Sequence, residues 1–111
     1  MDRQVSSALS LCMKAGMLKT GGFASEKALS SNAAQLILLA GDASSNTKKK
    51  FINKAHYYKI PVYVCGCIAD LSRLTGVVNR AVFAVTNGGF AANIERKLKE
   101  ANITEAGEWQ K

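Results

Sequence analysis

Three consecutive lysines, Lys48, Lys49 and Lys50, follow Asn46-Thr47, which in turn follows Gly41-Asp42 at the end of the apolar run Leu36 to Ala40. The chemistry this arrangement suits is anion binding. A short continuous apolar run is the pattern of a strand covered on both faces. Gly41-Asp42 supplies turn chemistry, and Asn46 or Thr47 can cap the helix that follows. The lysines then fall in that helix's first turn, where they oppose a dipole already positive at that end. Helix stability by itself favours acids there. The lysines therefore point to phosphate docked at a strand-to-helix corner.

A second corner has the same ingredients. Lys19 and Thr20 lead into Gly21-Gly22-Phe23, and Lys27 lies just beyond, on a helix expected to run from Ser25 to about Ser31 with Glu26 near its start. Paired glycines let backbone approach a ligand closely, and free N–H groups at a helix start suit phosphate oxygens. Phe23 either stacks on a base or serves as a staple or core residue. In an open α/β sheet, ligands gather at the carboxyl ends of the strands. If the two strands run parallel, both corners lie on one edge and form one basic surface.

Catalytic constellations are hard to assemble from this chain. Gly41 to Lys48 lacks the second glycine of a Walker A loop, and no G-x-G-x-x-G follows an apolar run. The single histidine, His56, lies on the lysine-rich helix with no acid or nucleophile in obvious reach, and reads as a surface or half-buried residue. Cys12, Cys65 and Cys67 lack zinc-ribbon or C-x-x-C spacing and read as reduced thiols. No paired carboxylates stand out. The expectation is a protein with no catalytic residues, no metal and no cofactor.

Charge adds a partner class. The 111 residues carry 15 Lys/Arg against 8 Asp/Glu, a formal net charge of +7. Residues 1–94 hold eleven of the bases against only Asp2, Glu26, Asp42 and Asp70, whereas residues 95–111 are neutral. A positive excess confined to the strands and turns reads as nucleic-acid binding ahead of membrane binding, because no basic amphipathic helix with an aromatic face is evident. The early residues do not read as a signal peptide, and no apolar run approaches the ~20 residues of a membrane span.

The elements that position these residues alternate. Val5, Ala8, Leu9, Cys12 and Met13 mark one face of a first helix that stops at Gly16. A short strand at 17–20, the second helix, the 36–40 strand and the lysine-headed helix follow, the last with Phe51, Ile52, Ala55 and Tyr58 inward. Pro61 opens a strand through Cys65, Ile68 to Leu74 reads as a short helix ending at Gly76, and Ala81 to Val85 is a fourth strand. Asn87-Gly88-Gly89 turns into a last helix lined by Phe90, Ala91, Ile94 and Leu98. Alternating helices and apolar strands imply one α/β unit over residues 1–111, a three-layer α/β/α sandwich with a central four-stranded mixed sheet.

The order of these elements, with Leu36 to Ala40, Asp42-Ala43-Ser44, Asn46 to Lys50, Tyr57-Tyr58, Ile60-Pro61-Val62 and Gly88-Gly89-Phe90-Ala91, closely resembles the ribosomal protein L7Ae/L30e family, especially its short bacterial members. The likeness covers roughly residues 4–99. It implies an α/β/α sandwich that binds structured RNA, typically a kink-turn, without catalysis. The family's recognition turn, Gly-x-Asn-Glu with Lys three positions later, matches Gly21, Gly22, Phe23, Ala24 and Lys27. The glycine and lysine are kept, but Phe23-Ala24 replaces the Asn-Glu pair that reads base edges. These side chains lack the directional donors and acceptors of that pair, so backbone, phosphate and shape contacts carry the expected recognition. The family's apolar RNA-packing loop matches Gly76-Val77-Val78, with a core role for Val77 and Val78 as the alternative.

The implied RNA-binding set is thus Lys19, Thr20, Gly21, Gly22, Phe23, Lys27, Lys48, Lys49, Lys50, Val77 and Val78. The implied partner is structured RNA, ribosomal RNA foremost, with neither DNA nor membrane, for a cytoplasmic and monomeric protein. The alternative is a protein-interaction or stress-signalling module on the same fold that does not bind RNA.

Overall fold

The computed structural model describes residues 1–107; the last four residues of the neutral C-terminal segment lie outside the described residues. The elements are α1 (Arg3–Lys14), β1 (Leu18–Thr20), α2 (Gly22–Ser30), β2 (Leu36–Leu39), α3 (Ser45–Tyr57), β3 (Val62–Val64), α4 (Ile68–Thr75), β4 (Val82–Val85) and α5 (Gly88–Glu100). The four strands form one mixed sheet in the order β1-β4-β2-β3. β2 runs parallel to β3, and β4 runs antiparallel to both β1 and β2.

Period-two alternation divides the sheet between two apolar layers. Leu36 and Leu38 join Phe83 and Val85 on one face, where Val5, Leu9, Leu71, Ile94 and Leu98 from α1, α4 and α5 cover them. Ile37 and Leu39 join Val82 and Ala84 on the other face, under Leu29 of α2 and Phe51, Ile52 and Ala55 of α3. The register that pairs Leu38 with Phe83 and Ile37 with Ala84 keeps the two sets apart. A one-residue slip would exchange the sets between the layers. The expected three-layer sandwich with a four-stranded mixed sheet is the observed architecture, and the continuous run in β2 is apolar because both its faces are buried.

One buried polar contact crosses the first layer. Tyr63, fully buried in β3, donates its hydroxyl to Glu95 Oε2 on α5 at 2.7 Å. Burial, reinforced by that carboxylate, pushes the Tyr63 phenol well above its ordinary value.

Three local expectations need correction. α2 begins at Gly22 rather than Ser25, so Phe23 and Ala24 are helical and not part of a turn. The cap of α3 is Ser44, whose hydroxyl oxygen accepts from the Thr47 N–H at 3.1 Å, rather than Asn46 or Thr47. With the helix starting at Ser45, Lys48 to Lys50 stand one turn deeper than expected, where opposition to the helix dipole has faded. Their case as binding residues therefore rests on where they point.

Candidate nucleic-acid interface

Because β4 is antiparallel to β1 and β2, those two strands run parallel to each other with β4 between them. The carboxyl ends of β1, β2 and β3 therefore share one edge of the sheet with the segment that enters β4. The condition for a single basic surface is met. Backbone hydrogen bonds join its parts: the Gly21 N–H donates to Val82 O at 2.8 Å, Ala40 to Ala81 O at 2.9 Å, and Gly41 to Gly66 O at 2.8 Å.

Two glycines on this edge are dictated by geometry. Gly21 caps α2 at φ 93°, ψ 164°, a backbone region essentially reserved for glycine. Gly41 has backbone directly against it: a β-carbon there would stand 2.9 Å from Gly66 O. Gly22 follows at the start of α2 with the Phe51 ring 3.6 Å from where its β-carbon would be. Among the described residues no side chain caps α2, so its first N–H groups have no side-chain acceptor there.

The acids on and near this edge are occupied. Asp42 Oδ1 accepts from the Ile68 N–H at 2.9 Å, tying the β2–α3 corner to the start of α4. Glu26 on α2 holds Lys50 at 3.0 Å and Lys54 at 3.2 Å on α3. Hydrogen bonds from Lys50 and then Lys54 keep its carboxyl below the usual carboxylate range. Asp70 pairs with Arg73. Surface pairs of this kind contribute little to stability. Their electrostatic effect is to leave the edge without a free negative group among these residues.

The expected binding residues divide by where the structure places them. Lys19 and Lys27 are exposed and line one groove with Phe23 and Ala24 that runs along α2 to Ser31, Ala33 and Thr86. Thr20, Gly21 and Gly22 form the β1–α2 corner itself. Lys48 turns its ammonium back to Gly41 O at 2.6 Å, closing the β2–α3 loop. Lys49 is exposed with no ion pair among the described residues, whereas Lys50 is committed to Glu26. Val77 is half-buried, its N–H donating to Thr75 Oγ1 at 3.3 Å, and Val78 is 72% exposed. The core alternative therefore fails for Val78. It fails more clearly for Phe23, which is 85% exposed.

One residue of this edge was not singled out from the sequence. Arg80, exposed and without an ion pair among the described residues, enters the edge just ahead of β4 and lays its side chain over Gly21. Its position next to the apolar run at 81–85 was visible. Its place on this edge depended on β4 being antiparallel, which the sequence does not encode locally.

His56 Nε2 lies 3.0 Å from Ala106 O and ties α3 to the C-terminal segment. Cys12 and Cys65 are buried, and burial pushes both thiols up to about 11. Among the described residues there is no group of three metal-ligating side chains, and no helix long and apolar enough to cross a membrane.

The chain is similar to known proteins in sequence and in fold. The chain is 35% identical over 92 residues to the RNA-binding protein YlxQ of Enterococcus faecium, a match covering 83% of this chain and 84% of that protein. It is 50% identical over 58 residues to the RNA-binding protein YlxQ of Bacillus subtilis (strain 168), covering 52% and 58%. A solved structure of a protein with unknown function from Bacillus halodurans C superposes with a TM-score of 0.85 at 33% identity, covering 88% of this chain and 99% of that one. The Giardia lamblia 15.5kD RNA binding protein shares the fold, with a TM-score of 0.73 at 18% identity over 87% and 86% of the two chains. The profile of the ribosomal protein L7Ae/L30e/S12e/Gadd45 family matches residues 3–95. With that match spanning most of the sandwich, the chain belongs to the ribosomal protein L7Ae/L30e/S12e/Gadd45 family.

Proposed function

We propose that this protein is a single non-enzymatic RNA-binding unit, ribosomal or ribosome-associated and cytoplasmic, that takes structured, kink-turn-like RNA, with ribosomal RNA its foremost target. The observation that carries the reading is the basic edge. Arg80 lies over Gly21 on that edge, Lys49 belongs to the β2–α3 corner, and Lys19 and Lys27 line the groove beside α2, all four without carboxylate partners among the described residues, while Asp42 and Glu26 are held by other groups. Relatives named as RNA-binding proteins support the same reading.

Lys19, Lys27, Lys48, Lys49, Lys50 and Arg80 contact phosphates, Lys48 and Lys50 with the donors left over from Gly41 and Glu26. Thr20, Gly21 and Gly22 bring backbone close to the RNA, and Val77 and Val78 pack against it. Affinity then comes chiefly from phosphate and shape, with counterion release making it steeply salt-dependent.

Gel-shift titration against a kink-turn RNA and a plain duplex of equal length, at several salt concentrations, tests this. The expected result is tighter binding to the kink-turn and a linear fall of log affinity with log salt, flattened in a Lys48/Lys49/Lys50→Ala variant. No binding to either RNA at low salt would favour the protein-interaction reading.

A further inference from the structure

We propose that Phe23 is a stacking platform for one unpaired nucleobase. This rests on the RNA-binding reading above and names the part of the RNA that this chain selects. An exposed aromatic ring forgoes the burial that normally justifies it, and Phe23 is 85% exposed and belongs to neither apolar layer. Its chain neighbours, Gly22 and Ala24, carry at most a methyl group. Beside it runs a groove of about 410 Å³ with Ala24 and Ala28 among its apolar lining, Lys19 and Lys27 among its polar lining, and no carboxylate. Phe23 and Lys27 are four residues apart on α2 and so neighbours on its surface.

An apolar plane flanked by two ammonium groups without ion pairs among the described residues, the carboxylate of Glu26 on the ring's other side being held by Lys50 and Lys54, suits a planar aromatic that carries its own negative charge. A nucleotide is that kind of group: the base lies on the ring and the flanking phosphates meet the lysines. An uncharged apolar side chain of a protein partner would cover the same ring at the cost of desolvating both lysines with nothing to pair them. Base stacking tolerates any base, so the selected feature is an unpaired nucleotide rather than a sequence.

Fluorescence anisotropy with a hairpin carrying a single bulged adenine, and with the same hairpin carrying an abasic residue at the bulge, tests this. Wild type should bind the bulged RNA roughly 5- to 150-fold more tightly than the abasic one, the range expected for one stacked base. Phe23→Ala should erase that difference while leaving the abasic affinity unchanged, and Phe23→Trp should keep it. With 2-aminopurine in the bulge, quenching on binding should be lost in the alanine variant. Melting curves should be unchanged, since the ring is exposed. Equal weakening on both RNAs, no weakening on either, or no wild-type preference for the bulge overturns the stacking role and leaves RNA binding standing. Failure of wild type to bind these hairpins or a kink-turn at low salt overturns both.

Discussion

Arg80 lies across Gly21: its Cδ and Nη1 each come within 3.3 Å of the point that a β-carbon on Gly21 would occupy. The segment entering β4 and the start of α2 are thus fitted to each other at the centre of the basic edge. Gly21 serves two ends at once, accepting a backbone geometry other residues avoid and leaving the floor on which the guanidinium rests.

Arg80→Ala is expected to weaken RNA binding and to flatten the slope of log affinity against log salt by about 0.7–0.9, the loss of one phosphate contact. Gly21→Ala should do the same by dislodging Arg80, and should also lower the melting temperature, since that backbone costs about 1–3 kcal/mol for a residue with a side chain. The double variant should bind no worse than Gly21→Ala alone, because the two changes remove one contact. Lys59→Asn, at the far end of α3, is the control and should leave the slope unchanged. Salt-dependent titrations paired with melting curves read all four.

Restoring the family's Asn-Glu pair, Phe23→Asn with Ala24→Glu, should widen the preference for a kink-turn over a control with disrupted G·A pairs. The expected gain is about 1–3 kcal/mol, the worth of a good base-edge contact. Both positions lie in the first turn of α2 and Phe23 is exposed, so the fold should survive. A new glutamate there also favours the helix dipole. Parallel titrations of the two RNAs with wild type and variant measure the change.

The buried thiols predict how the fold responds to alkali. Cys12 and Cys65 ionise at about 11 in the folded protein against an ordinary 9.0. Below pH 9.0 both states hold these protons and stability is unaffected; between 9.0 and about 11 the unfolded chain releases them first, so stability is lost as pH rises. The melting temperature should stay level to about pH 9 and then fall, less steeply in a Cys12→Ala/Cys65→Ala variant. Mass spectrometry after alkylation of the native protein should find Cys67, the only half-exposed thiol of the three, modified ahead of the other two.

The strands and helices were legible because their apolar positions repeat at the periods of the layers they face. Leu36 to Leu39 is continuous since both of its faces are covered, and Val5, Ala8, Leu9 and Cys12 are spaced because only one face of α1 is. What misled was local capping chemistry overruled by packing. Ser25 reads as a helix start, but its side chain is fully buried with no hydrogen-bond partner among the described residues, and its N–H makes the first helical bond of α2, to Gly21 O. Ser44 caps α3 in preference to Asn46 and Thr47 because the chain turns at Gly41 to Ala43 and is extended only at Ser44, with the helix beginning at the next residue. At the candidate interface, the two lysine-bearing corners were legible from turn residues next to apolar runs. Exposure of Phe23 was not, because an apolar residue beside a helix start is ordinarily a buried one. The Glu26 clasp on Lys50 and Lys54 joins residues whose helices have to be packed together before the pairing exists.

The hydrogen bond from Gly41 to Gly66 O, with no room for a side chain between the two backbones, makes the lysine corner and the start of α4 a single piece. Neither loop can lengthen or loosen alone. A surface clamped in this way arrives at its partner already in shape, so the protein loses little conformational freedom on association. The rearrangement, and the entropy it consumes, falls to the RNA.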